Sequence, residues 1–205
     1  TSANNTLTGT GYADNIYGLG GNDTISGGAG DDVLVGGAGA DSLAGGGGED
    51  TVSYITASQG VSVSLATSGA QTGIAGGDEV GDVLTDVDHI EGSLFGDALV
   101  GDAWSNTLSG LDGNDTLRGG NGSDTLVGGT GADSFNFAAG DDQDVIRDFQ
   151  DGTDLIRFEV AGLTFADLVL DEVAGSAVVR YGDGDIVVLE GVTLPQLSAD
   201  DFIFV

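Results

Sequence analysis

From residue 9 to residue 53 the chain repeats itself every nine residues: GTGYADNIY, GLGGNDTIS, GGAGDDVLV, GGAGADSLA, GGGGEDTVS. An aspartate holds the sixth place each time (Asp14, Asp23, Asp32, Asp41, Asp50), and an aliphatic residue holds the eighth (Ile16, Ile25, Leu34, Leu43, Val52). Glycine takes the first place throughout and the fourth in four of the five. A short fixed period of this content specifies a solenoid, because each repeat can bury its apolar residue only against its neighbours. The glycine-rich places turn the chain through backbone angles that other residues resist. The three places after the aspartate form a short strand whose middle side chain points inward. If successive strands alternate between two facing sheets, one coil takes two repeats, 18 residues. Asp14, Asp32 and Asp50 then stack along one edge, and Asp23 and Asp41 along the other.

Stacked coils lie about 4.8 Å apart, and carboxylates at that separation repel unless a cation sits between them. Calcium suits such loops, since it takes six to eight oxygens at roughly 2.3–2.6 Å in irregular geometry, whereas magnesium demands a strict octahedron and holds its water. Glycine loops can turn their carbonyls toward the ion while the aspartates supply charge. A solvated acidic surface would not place its acids at a fixed period with an aliphatic residue two places later.

The period fails over residues 54–87. There Val61, Val63 and Leu65 alternate with serines as in a strand, and residues 67–79 read as a loop. This insert either extends the same sheets by one enlarged, irregular coil, the reading preferred here, or separates two rolls. The period resumes with Asp88 and Ile90 and runs through Asp97, Asn106, Asp115, Asp124 and Asp133, each two places before Leu99, Leu108, Leu117, Leu126 and Phe135. Asn106 brings an amide oxygen but no charge, so sites shared with Asp88 and Asp124 are expected to be weak or empty. The expected organisation is a first roll at 1–53, the insert at 54–87, a second roll at 88–136 and a β-rich C-terminal cap at 137–205.

Composition narrows the function. The 205 residues carry 34 acids against four arginines and no lysine, for a formal net charge of -30. Nucleic acid is excluded as a partner, because phosphate binding needs a basic surface, and an anionic membrane would repel the chain. No apolar run is long enough for membrane insertion. With no cysteine, neither disulfides nor thiolate sites hold the fold. One histidine, no HExxH and no GxSxG elbow leave few acid–base constellations, so no catalytic residue is assigned and the chain reads as a non-enzyme. The chain opens already in register, with Asn5 nine before Asp14, so either upstream sequence or a partner, including a second copy, is expected to cover that end of the roll.

In the cap, Gly182-Asp183-Gly184 between Ala177–Tyr181 and Asp185–Leu189 signals a hairpin. Leu163 to Leu170 reads as either a short helical turn or a strand edge. Acids at Asp144, Asp148 and Asp154 are expected to hold a last calcium. Trp104 stands where the repeat has glycine, as a packing residue over the insert or, less favoured, a stacking platform for a sugar. His89, beside Ile90 on a short strand, is expected to point outward and to be neither ligand nor base.

The repeats at 9–53 and 92–136 resemble those of the RTX proteins, which leave Gram-negative bacteria by type I secretion. The insert, with VSYITASQGVSVSLATSGAQTG and DHIEGS, resembles a segment common in large RTX surface proteins and found near serralysin-like protease and polysaccharide-modifying modules. The ending, from DFQDGTDLIRF to DDFIFV, is similar to the family's C-terminal region, where the uncleaved secretion signal lies. The resemblance implies an all-β, right-handed parallel β-roll with several Ca2+ ions between stacked loops, secreted through the type I machinery and folding outside the cell. It also implies that ligands include the sixth-place residues and even-place carbonyls. Those carbonyls belong to Gly21, Gly28, Gly30, Gly37, Gly39, Gly46, Gly48, Gly113, Gly120, Gly122, Gly129 and Gly131. Thr10, Tyr12, Leu19, Trp104 and Asn106 depart from the motif.

Overall fold

The computed structural model describes residues 2–66, 80–182 and 184–205, so the loop read at 67–79 and Asp183 of the hairpin turn lie outside the described residues. Six strands open the chain: β1 (Thr6–Thr8), β2 (Asn15–Gly20), β3 (Thr24–Ala29), β4 (Val33–Ala38), β5 (Ser42–Gly47) and β6 (Thr51–Ser53). They alternate between two facing parallel sheets. Leu7 pairs with Ile25, Ile16 with Leu34, and Ile25 with Leu43, each 18 residues on. The fold is thus the expected all-β, two-sheet parallel β-roll.

Strand length departs from the three residues expected. Strands β2 to β5 run six residues, because the glycine-led loops also ladder, with Leu19 opposite Gly37 and Gly28 opposite Gly46. Leu19 sits at a motif glycine place and adopts φ 80°, a left-handed conformation that costs a non-glycine residue roughly 1–2 kcal/mol.

Across residues 54–91 the two faces behave differently. On one, β9 (His89–Glu91) pairs directly with β6, so a single ten-stranded sheet runs past this seam. On the other, β8 (Val83–Thr85) pairs with β5, while β7 (Ser62–Ser64) pairs with β10 (Ala98–Val100). The chain places β7 forward, returns for β8, and then resumes coiling, which makes this face a four-stranded and a six-stranded sheet.

The coils continue as β11 (Thr107–Ser109), β12 (Thr116–Arg118), β13 (Thr125–Val127), β14 (Ser134–Ala138), β15 (Gln143–Ile146) and β16 (Leu155–Glu159). Leu163 to Leu170 takes both forms allowed by the sequence: a 3-10 turn at Phe165–Asp167, then β17 (Val169–Val173). Next come β18 (Ser176–Arg180), β19 (Ile186–Leu189) and β20 (Phe202–Phe204). β18 lies antiparallel between β17 and β19, whereas β19 and β20 add in parallel to β15 and β16.

The core is a file of inward side chains. Leu34, Val52, Leu99, Leu108, Leu117, Leu126, Phe135, Ile146 and Ile156 are fully buried, each worth roughly 1.5–3 kcal/mol relative to exposure. Aromatic rings close the C-terminal end, with Phe158 4.6 Å from Tyr181 and 6.2 Å from Phe202. Among the described residues no helix is long and apolar enough to cross a membrane.

Candidate metal centre

The sixth-place residues form two edge rows, each knit by backbone N–H groups. On one edge the N–H of Asp14 donates to Asp32 Oδ1 at 2.8 Å, that of Asp32 to Asp50 at 2.9 Å, and that of Asp50 to Asp88 at 2.8 Å. Beyond the seam the N–H of Asn106 donates to Asp124 at 2.7 Å, and that of Asp124 to Asp144 at 3.0 Å. On the other edge Asp23 donates to Asp41 and Asp41 to Asp82. After the seam Asp97 donates to Asp115, Asp115 to Asp133 and Asp133 to Asp154.

One oxygen of each carboxylate is therefore placed by the neighbouring coil. The other is often left with nothing. The Oδ2 atoms of Asp23, Asp32, Asp50, Asp115, Asp124, Asp133 and Asp144 are buried without any hydrogen-bond partner. A buried ionised carboxylate in that state is costly. Burial first, and then the carboxylates beside them, push Asp115 up to about 7 and Asp144 up to about 8, and raise Asp50 and Asp133. Asp124 rises to about 6, again through burial first, with Asp141 and Asp102 adding to it.

Row ends are different. Asp14 Oδ2 accepts from its own loop, at Thr10 N (2.6 Å) and Thr10 Oγ1 (2.8 Å). Asp97 accepts from Val61 and Ser93, and Asp154 Oδ2 from Gln150 N–H. Asp148 stands outside both rows, its two oxygens accepting the N–H groups of Gly128 (2.9 Å) and Gly129 (2.8 Å). The structure does not gather Asp144, Asp148 and Asp154 into one group, because Asp144 and Asp154 lie on opposite rows. Asp82 is fully buried on a row. Its signal was partial: Asp82-Val83-Leu84 repeats the aspartate-x-aliphatic pattern, but Asp78 and Val80 stand where the repeat has its second- and fourth-place glycines.

At their first two places the loops leave room only for glycine at most positions. A Cβ on Gly18, Gly27, Gly110, Gly119 or Gly128 would overlap the Oδ2 of the aspartate five places on. At Gly28, Gly37, Gly46, Gly120 and Gly129 the backbone has positive φ, and a Cβ would strike the carbonyl of the coil before. A Cβ on Gly18 or Gly27 would also meet the carbonyl of Gly36 or Gly45 on the next coil, at 2.5 and 2.7 Å, so these first-place carbonyls lie near the unshared oxygens of Asp23 and Asp32. Among the described residues no three acidic side chains converge, so any ion on these rows needs backbone oxygens to complete its shell.

At the seam both rows break. Asn106 Nδ2 donates to the Asp88 carbonyl at 2.8 Å, and His89 Nδ1 accepts the Thr107 N–H at 3.1 Å. His89, only part-exposed, thus serves the sheet ladder, with Nε2 3.6 Å from Glu49. Only six residues separate Leu84 from Ile90, against nine in a repeat. The shortened loop leaves a cavity of about 350 Å3 lined by Gly46, Gly48, Leu65, Asp86, Asp88, Asp102 and Trp104 among others. Trp104 itself is 77% exposed.

The sequence model of the RTX calcium-binding nonapeptide repeat matches residues 1–34, 26–53, 101–135 and 109–144. The chain carries RTX calcium-binding nonapeptide repeats. Among solved structures, it is similar to the extracellular lipase LipA from Serratia marcescens at 21% identity and a TM-score of 0.39, covering 100% of this chain and 40% of the lipase. The chain thus spans well under half of that protein's length. It is also similar to the AlgE6R3 subunit of the Azotobacter vinelandii mannuronan C5-epimerase, at 31% identity and a TM-score of 0.47 over 57% of this chain and 77% of that one. No curated protein sequence matches it. RTX repeats are calcium-binding motifs, and the donor set here fits that ion: unshared carboxylate oxygens, carbonyls from glycine loops, and neither thiol nor imidazole on the rows.

Proposed function

We propose that this chain is an extracellular calcium-binding RTX module that folds as its ions bind, after passage through type I secretion machinery, and serves architecture rather than catalysis. The observation that carries the reading is the set of seven buried, partnerless Oδ2 atoms on the two rows. The ligands on this reading are Asp14, Asp23, Asp32, Asp41, Asp50, Asp82, Asp88, Asp97, Asp115, Asp124, Asp133, Asp144 and Asp154, with the even-place glycine carbonyls beside them. Asn106 is the weak position. Residues 1–53 and 88–136 act as two calcium rolls joined through 54–87, and 137–205 act as a cap carrying the secretion signal.

Bound calcium supplies positive charge and an oxygen coordination shell. The chain's own residues do the rest: N–H groups aim the carboxylates, glycines admit the carbonyls, and the aliphatic file excludes water. Without the ions, a chain of net charge -30 with its acids stacked in two rows has little to hold it together, so binding and folding form one event. Such a chain stays unfolded where calcium is scarce and folds at the roughly 10⁻⁴–10⁻³ M range of extracellular modules. His89, engaged in the sheet, offers no general base, which supports a non-catalytic role.

The test is a calcium titration of metal-free protein followed by far-ultraviolet circular dichroism and sedimentation. A cooperative coil-to-β transition with a falling frictional ratio is expected. Full β-structure in chelator, unchanged by calcium, would overturn the reading. A rise in mass with calcium would add self-association to it.

A further inference from the structure

Outside the repeat pattern, one corner of the cap is wired like the rows. Asp141 and Asp185 are buried, 2% and 9% exposed. Asp141 Oδ2 accepts the Ala138 N–H at 2.6 Å, and Asp185 Oδ2 accepts the Gly140 N–H at 3.0 Å. The end of β14 and the turn that follows it thus supply the donors that hold both carboxylates, and the Ile186 N–H donates back to the Asp142 carbonyl at 2.8 Å. Gly182 packs against Asp185 as the first-place glycines pack against the row aspartates: a Cβ there would lie 2.6 Å from Asp185 Oδ2.

A second observation comes from the core side. The Tyr181 side chain is 3% exposed, and its hydroxyl has no hydrogen-bond partner. The charges acting most strongly on it are Asp141, Asp144, Asp185 and Asp142. A phenol oxygen buried without a partner, on the residue that enters the turn leading to Asp185 and whose backbone N–H donates to the Asp185 carbonyl at 3.3 Å, marks a place where something is to be bound. The one cation acting on Asp141 is Arg118, and it is shared with Glu159 at 3.6 Å.

We propose that Asp141, Asp185 and the Tyr181 hydroxyl form a further divalent-cation site, outside the nonapeptide rows, that clamps β18 and β19 onto the last coil. Its chemistry is that of a hard, oxygen-seeking ion such as calcium, with turn carbonyls completing the shell. The site rests on the calcium reading of the repeats and extends it to the cap. Ligation through the phenol explains why tyrosine rather than phenylalanine stands among Phe137, Phe158 and Phe202.

The full chain is tested with calcium and with terbium, a calcium substitute whose emission is sensitised by a nearby tyrosine. Ions per chain are counted by native mass spectrometry. Asp185→Asn should bind one ion fewer than the parent while keeping its β-roll circular dichroism. Tyr181→Phe, whose fold needs no hydroxyl partner, should lose part of the tyrosine-sensitised terbium emission and bind that one ion several-fold more weakly. An unchanged count in Asp185→Asn, or unchanged sensitised emission in Tyr181→Phe, would overturn the cap site while leaving the repeats intact. If Asp185→Asn fails to fold, the Tyr181→Phe emission decides. A parent chain that binds no ion at all would sink the repeat reading and the cap site together.

Discussion

Gly119 offers a substitution that changes one ion position without touching a charge. Its φ lies outside the left-handed region, so alanine fits the backbone, but the new Cβ would overlap Asp124 Oδ2 and lie 2.6 Å from Asp124 Cγ. The carboxylate must swing away, losing the Asn106 N–H bond at 2.7 Å, or the loop must shift. Either route costs about 2 kcal/mol, the scale of a hydrogen bond to a charged group or of a modest overpacking. At a single independent site that equals a roughly thirty-fold weaker affinity, at 1.36 kcal/mol per decade. If about five ions bind within one folding transition, the same cost is divided among them, and the calcium midpoint moves only about two-fold. Gly47→Ala is the control: nothing lies within 4 Å of its Cβ, and alanine already occupies the equivalent positions Ala29 and Ala38. Calcium titrations of both variants by circular dichroism should give a shift for Gly119→Ala and none for Gly47→Ala. An unshifted Gly119→Ala, or equal shifts in both, would refute the claim that first-place glycines make room for the carboxylates.

Three further outcomes follow from the rows. Burial raises Asp115 to about 7 and Asp144 to about 8 from 3.8, so the metal-free fold binds protons more tightly than the unfolded chain. It therefore gains stability as pH falls through those values and loses it as pH rises. The calcium midpoint should climb on acidification from about pH 8 to about pH 5, and chelated protein should gain β-signal over the same window; a flat midpoint would contradict this. Asn106→Asp removes the amide bond to the Asp88 carbonyl but supplies the charged oxygen the row lacks there, and should add bound calcium by native mass spectrometry; an unchanged ion count would contradict the reading. Asp148→Ala strips the Gly128 and Gly129 N–H groups of their acceptor; thermal unfolding in saturating calcium should show a loss of about 2–3 kcal/mol with an unchanged ion count.

What could be read from the chain divides along physical lines. The 18-residue coil was legible because glycine, aspartate and an aliphatic residue each do one job at a fixed place, and the strand pairs keep that spacing. Strand length was not, because glycine is normally a strand breaker and only the stacking of identical loops lets Gly28 ladder with Gly46. Asp82 escaped because its aspartate-x-aliphatic signal falls six residues before Asp88, outside the nine-residue register, and its row position is set by the long-range pairing of β8 with β5. His89 was placed outward from strand alternation, and it does flank buried Ile90 while staying part-exposed; its bond from the Thr107 N–H was not legible, because it needs the β9–β11 pairing. Asp185 reaches the turn beside Asp141 only because β19 docks on β15, its carboxylate taking the N–H of Gly140, 45 residues before it.

The N–H bonds along the rows all run one way. On either side of the seam the backbone of the earlier residue holds the carboxylate of the later one, from Asp14 onto Asp32 to Asp133 onto Asp154. The stack is therefore a polar object, like a crystal that grows differently on opposite faces. Peeling a coil from the N-terminal side leaves its neighbour's carboxylate unaimed and charged; peeling one from the C-terminal side leaves only a neutral amide without its acceptor. Fraying from the first side releases an ion's anchor and from the second a single hydrogen bond, so the two ends of one repetitive roll come apart at different calcium concentrations.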